Sequence, residues 1–259
     1  MKAAVLGFLF AVLLSFHFAE AAVPKKNQIP NLDPAQFPEP VALSVDEILS
    51  MPAANRVEVA KLRKNQLIPP LDKIAFSDKT DFQTRWSALV LLAQIQGPAA
   101  EKTLEKALNH KEWFLRNAAL LTYPQVLPKK AAGVAVRMLE DKALVIRSAA
   151  IEILEANLEA DKREVLWTEL DHPRNFRKKQ SLWIRPQILA ALSKEPTTRE
   201  LPLFLNHLRD TDTKLHPHAI QALERMTRQS LGKSDTKLAD KRELWLKWAR
   251  NTRSEISLQ

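Results

Sequence analysis

The apolar residues of this chain fall into a helical rhythm that itself repeats. Around Arg85, Arg116, Arg147, Arg185 and His216 the same residue types recur at fixed offsets. One residue earlier stand Thr84, Leu115, Ile146, Ile184 and Leu215, and three later Ala88, Ala119, Ala150, Ile188 and Ala219. Six later come Leu91, Thr122, Ile153, Ala191 and Ala222, and seven later Leu92, Tyr123, Leu154, Leu192 and Leu223. Offsets of this kind lie on one stripe of an α-helix, so each block predicts a helix with one buried face. The residues at the third offset are mostly Ala, which predicts close approach between neighbouring helices. Arg85, Arg116 and Arg147 are 31 residues apart, and His216 follows Arg185 by the same 31. A fixed period of this length marks stacked units that cannot bury an apolar face alone.

A second amphipathic stretch precedes these helices. Ala100, Leu104, Ala107 and Leu108 form one, and Ala132, Ala135, Val136 and Leu139 another. Gly97-Pro98, Pro124 to Pro128, Asp161 and Pro196 separate the units. Each unit therefore reads as helix, turn, helix. The pattern over residues 66 to 228 resembles the HEAT repeat family, including its bacterial phycobilisome-lyase-type branch. The resemblance implies an all-α fold: a right-handed α-solenoid of about five helix pairs over residues 66–232, with capping helices. It also implies an Asp in the turn and an Arg early in the second helix of each unit. Asp141 with Arg147 matches best; Asp210 has His216 as its partner, and His110 stands where the second unit's Asp would be. A row of arginines beside turn carboxylates is expected to tie unit to unit by charge-assisted hydrogen bonds.

Outside the repeats, Ser44-Val45-Asp46-Glu47 is a capping-box pattern, predicting a helix start and an N-terminal cap over residues 43–65. At the other end Leu238, Leu244, Trp245 and Trp248 predict a capping helix within residues 233–259. Residues 22–42 carry Pro24, Pro30, Pro34, Pro38 and Pro40 among polar residues and read as an extended linker. Residues 1–21 read as a signal peptide, with Lys2, an apolar run from Ala3 to Phe18, and Ala19-Glu20-Ala21 as a small-x-small cleavage site. The run is short of the roughly 20 residues a membrane span needs. The expected location is the periplasm or beyond, in a bacterium, with no transmembrane segment after cleavage.

Composition narrows the chemistry. With 259 residues, 46% of them apolar, the chain can bury a sizeable core. The absence of Cys removes disulfides, thiol nucleophiles, thiolate metal sites and Cys-attached lipid or bilin. There is no glycine-rich phosphate loop, no HExxH and no GxSxG. His216 and His218 are two apart on a predicted helix and diverge, which makes a poor metal clamp. No catalytic residue, metal or cofactor is expected.

The break in the rhythm carries the candidate site. From Arg147 to Arg185 the step is 38 residues, seven more than the period. The extra residues fall in the fourth unit's turn, within 172–181, where Arg174, Arg177, Lys178 and Lys179 lie near Phe176 and Trp183 without an acidic neighbour. Insertions in repeat arrays emerge on one edge and often serve binding. The net charge of +9 fits a polyanion, although a solvated basic loop is the simpler alternative.

The expected function is a non-catalytic scaffold that binds a partner protein through its stacked second helices. The alternative is binding of an anionic envelope polymer or lipid surface through Arg174, Phe176, Arg177, Lys178, Lys179 and Trp183. A glycosylase-type enzyme, suggested by Trp86, Trp113, Trp167 and Trp183 together with the basic charge, is a third reading. The export signal makes a nucleic-acid substrate the least expected.

Overall fold

The computed structural model describes residues 43–256, so the expected signal peptide and Pro-rich linker lie outside the described residues. The described chain is all-α apart from one small hairpin. Two short helices come first, α1 (Val45–Ser50) and α2 (Ala53–Leu62). Pairs of helices follow: α3 (Lys64–Ala75) with α4 (Phe82–Gln96), α5 (Glu101–Leu108) with α6 (Trp113–Val126), and α7 (Pro128–Met138) with α8 (Leu144–Glu155). Then come α9 (Ala160–Leu170) with α10 (Ile184–Lys194), α11 (Leu201–His207) with α12 (His216–Thr227), and a closing α13 (Leu238–Ile256). Among the described residues, no helix is long and apolar enough to cross a membrane.

Local chemistry sets many of these boundaries. Ser44 and Glu47 form the capping box that opens α1. Asp81 opens α4 by accepting from the backbone N–H groups of Gln83 and Thr84, both at 3.0 Å. Gly97, at φ +59°, ends α4 in a conformation that a side chain would strain. Pro128 starts α7 at a position where its missing N–H is not needed.

Two expected separators lie inside helices. α6 runs through Pro124 and ends only at Val126. Pro124 therefore bears on the last turn of the helix, and the connection shrinks to Leu127. Asp161 sits in the first turn of α9, where a carboxylate favours the helix dipole. In α7 the buried stripe is Ala131, Val134, Ala135 and Met138, leaving Ala132 and Val136 at its margin.

Packing follows chain order. Within each pair the helices lie against each other, and α4, α6, α8, α10 and α12 each pack on the next. Ala88, Ala119, Ala150, Ile188 and Ala219 are fully buried at these contacts, and so are Leu92, Tyr123, Leu154, Leu192 and Leu223. Burying one such leucine contributes roughly 1.5–3 kcal/mol. Truncating it to Ala costs about 2–5 kcal/mol, because the stacked neighbours cannot fully collapse into the space. At the C-terminal end α13 covers α11 and α12, with Trp245 fully buried and set edge-to-face against Trp248.

Candidate functional site

The column of Arg85, Arg116, Arg147, Arg185 and His216 is buried throughout, each residue 2–6% exposed. Its members differ in what they hold. Arg116 donates from Nε and Nη2 to the two carboxylate oxygens of Asp141, at 2.6 and 2.9 Å, across the boundary to the next unit. Arg185 holds Asp171 of its own turn at 2.5 Å and Asp210 of the next at 2.7 Å. Arg85 donates to the Ala75 carbonyl and lies 3.6 Å from Asp78. His216 places Nε2 at 3.0 Å from the Asp210 carbonyl. Within the third unit Arg147 meets only the carbonyl oxygen of Asp141, because Arg116 of the preceding unit already occupies the carboxylate. Burial alone would raise the carboxyl pKa values of Asp141 and Asp210. The hydrogen bonds from Arg116 and Arg185, and from the backbone N–H groups of Ala143 and Asp212, outweigh it and hold both below the usual range.

The first helices carry a second buried link. Arg163 of α9 reaches both oxygens of Glu200, at 2.8 and 2.7 Å, and the Leu192 carbonyl at 2.8 Å. The Trp167 indole N–H donates to the same carboxylate at 2.6 Å. Trp167 also packs against Phe204 and stacks on His207, so this tryptophan belongs to the interface between units. No sequence pattern marked Arg163 or Glu200, which are 37 residues apart and lie outside the arginine column.

The insertion between α9 and α10 is folded. A 3-10 turn, Pro173–Asn175, leads into a two-stranded antiparallel hairpin, β1 (Phe176–Arg177) and β2 (Gln180–Ser181). Asn175, fully buried, anchors its base by donating from Nδ2 to the Glu169 carbonyl at 2.6 Å and carboxylate at 3.1 Å. The loop is Lys178-Lys179, with φ at +49° and +65°. Positive φ at both central residues is the type I′ form, which normally selects Asn or Gly. Two lysines here impose strain that the hairpin accepts.

The six expected binding residues separate by environment. Arg177, Lys178, Lys179 and Trp183 are exposed. Arg174 and Phe176 are half-buried and tied into the fold. Arg174 donates from Nε to His172 Nδ1 at 2.8 Å and lies 3.7 Å from Glu169. The Phe176 ring lies under the Arg185 guanidinium at 4.5 Å, as Phe114 lies under Arg85 at 5.1 Å. Arg174 also divides two grooves. One, of about 450 Å³, is bordered by Glu140, Asp161, Glu164 and Glu169. The other, of about 490 Å³, is bordered by Lys142, Arg147 and Arg177.

Asp171, His207 and Asp210 place ligand-type atoms within 4.8 Å of one another. The Arg185 guanidinium already donates to both carboxylates and supplies the positive charge that a cation would bring. This cluster is best read as part of the joint between units. No family model matches the chain, and no curated protein matches it.

Proposed function

We propose that the helix pairs form a right-handed α-solenoid of HEAT type, and that the protein is a non-catalytic exported scaffold binding a partner protein through its stacked second helices. The observation that supports this is the register of α4, α6, α8, α10 and α12. Successive second helices pack on each other, and one pair of equivalent residues 31 apart meets, Gln94 donating to Gln125 at 3.2 Å, which supports a continuous face across the units. Five residues beyond the column this face carries Val90, Leu121, Glu152, Ala190 and Gln221, none of them buried. A mixed apolar and polar row of this kind suits a protein surface. A photo-crosslinking residue at Leu121, in the exported protein in its native envelope, is expected to trap one discrete protein. The same residue at the exposed Lys102 of α5 should not. Equal labelling from both positions would count against the reading.

A second reading is favoured by the hairpin tip. Lys178 and Lys179 are held outward at positive φ beside Arg177, and Trp183 is 50% exposed. A rigid basic tip with an exposed indole suits an anionic envelope polymer or lipid surface. Salt-sensitive binding that is lost in Lys178→Ser/Lys179→Ser tests it; unchanged affinity would remove the tip from consideration.

A further inference from the structure

Among the described residues no carboxylate lies within ion-pair distance of Arg147, whereas Arg116 holds Asp141, Arg185 holds Asp171 and Asp210, and Arg85 lies 3.6 Å from Asp78. It is only 5% exposed. Its Nη1 donates to the carbonyls of Asp141 and Lys142 at 2.9 and 3.5 Å, and its Nη2 to the Arg174 carbonyl at 3.4 Å. Its Nε is buried with no hydrogen-bond partner. The insertion explains this. Where the next unit's turn would present a carboxylate, the fourth unit presents the 3-10 turn and its carbonyl, while Asp171 is drawn to Arg185. Glu169, the other nearby acid, is held by Asn175 at 3.1 Å and lies 3.7 Å from Arg174. A buried guanidinium hydrogen-bonded only to carbonyls, with Glu169 and Asp141 acting on it from beyond contact, is poorly compensated.

The groove of about 490 Å³ opens onto this guanidinium, between the turn at residues 140–142 and the hairpin. Lys142, Arg147, Arg174 and Arg177 line it, and Leu144, Phe176 and Leu182 supply an apolar wall. Of the two carboxylates at its border, Asp141 is held by Arg116 and the Ala143 N–H, which leaves Glu140 at the exposed rim. Arg174 is engaged by His172 and lies beside Glu169, so three cations, Lys142, Arg147 and Arg177, face one uncommitted carboxylate. A single carboxylate ligand would leave part of that charge uncompensated. A phosphate monoester brings about −1.5 to −2 charges and three acceptor oxygens to planar guanidinium donors.

We propose that this groove binds a phosphate monoester group, with Arg147, Arg177 and Lys142 as its donors. The apolar wall accommodates the organic part of the ligand, whether a soluble phosphate ester or the headgroup region of a phosphomonoester lipid. The proposal is independent of the partner-protein reading and shares only Arg177 with the hairpin tip, because Lys178 and Lys179 do not line the groove.

The test uses the exported protein without its signal peptide. Inorganic phosphate, compared with chloride at matched ionic strength, is expected to raise the thermal midpoint saturably. Arg177→Ser/Lys142→Ser, both at exposed positions, should weaken that response about tenfold or more, the loss expected for one charge-assisted contact. Arg147→Met, which fills a similar volume, should abolish it, and Lys178→Ser/Lys179→Ser should leave it unchanged. Should Arg147→Met fail to fold, the exposed pair still decides. Absence of saturable stabilisation, or a response equal in Arg177→Ser/Lys142→Ser, overturns the proposal. Flotation with phosphatidic acid in phosphatidylcholine vesicles separates the sources. Binding that free phosphate displaces identifies a lipid phosphomonoester; phosphate stabilisation without flotation identifies a soluble one. Flotation that is insensitive to free phosphate and is lost only in Lys178→Ser/Lys179→Ser overturns the groove in favour of the tip.

Discussion

Asp141 lies in the turn of the third unit, yet both its carboxylate oxygens are held by Arg116 of the second, at 2.6 and 2.9 Å. The two side chains are 7% and 6% exposed. The contact joins two helix pairs through a bidentate, water-excluded pair, and its removal exposes how the units are coupled.

Asp141→Asn is expected to destabilise the protein by about 3–5 kcal/mol, because it leaves the Arg116 guanidinium buried without a counter-charge. Arg116→Met/Asp141→Leu should recover most of that loss, since the desolvation penalty then disappears with the charges. Urea unfolding of the two variants checks this. Equal destabilisation in both would show that the pair acts through shape alone.

Glu200→Gln is expected to weaken the joint between the fourth and fifth units by a similar 3–5 kcal/mol or so. The carboxylate accepts from Arg163, Trp167 and the Thr197 backbone N–H, so one substitution disturbs three donors. The indole N–H resonance of Trp167 should move and its hydrogen exchange should quicken. An unshifted resonance would contradict the bond.

Stability should fall as the solution is acidified, in two stages. Burial lowers the pKa of His207, and also of His110 and His218, below the ordinary value of 6.5. For Asp141, Asp210 and Glu200 burial pushes upward, but hydrogen bonds from Arg116, Arg185 and Arg163 win and the folded values are depressed. In every case the unfolded chain takes up protons at a higher pH than the folded one. The contribution to stability is therefore complete above the unfolded pKa and is lost as pH falls through the folded value. The midpoint of thermal unfolding should begin to decline below about pH 6.5, the unfolded histidine value, and fall steeply below about pH 4, in the carboxylate range. His207→Gln should flatten the first stage. A midpoint that rises on acidification would reverse the sign and refute the assignment.

The hairpin loop offers a substitution expected to stabilise. Lys178→Asn/Lys179→Gly places the residues that type I′ turns favour at the two positive-φ sites. Relief of about 1 kcal/mol or more at these two positions is expected. Chemical denaturation measures it directly. A loss of stability would mean that the lysines make compensating contacts.

The helices were legible in the sequence because helix periodicity is local. An apolar residue returning every three or four positions selects its own buried face, and the stripes around the column are buried as their spacing requires except at Thr84 and Ile153, which are half-buried. The capping box at Ser44 and the stop at Gly97 were legible for the same reason, since each depends on neighbours a few residues away. The hairpin was not. Its strands are two residues each, its turn lacks the usual Asn or Gly, and its base is set by Asn175 reaching back to Glu169. The Arg163–Glu200 link was hidden too, because neither residue belongs to the repeated column.

The candidate site shows the same division. Sequence alone marked a basic, aromatic insertion in the fourth unit, and it determined that Arg116, Arg147 and Arg185 hold equivalent positions. Tertiary structure decided that equivalent residues have unequal partners. Arg116 reaches a carboxylate of the next unit and Arg185 reaches two, while Arg147 reaches carbonyls alone. It also turned Phe176 inward beneath Arg185 and left Lys178 and Lys179 outward. The reason is physical. A repeated residue inherits its place from the pitch of its own helix, but the counter-charge that Arg116 and Arg185 take from the next unit lies in a turn 25 residues away, and seven inserted residues suffice to move such a charge elsewhere.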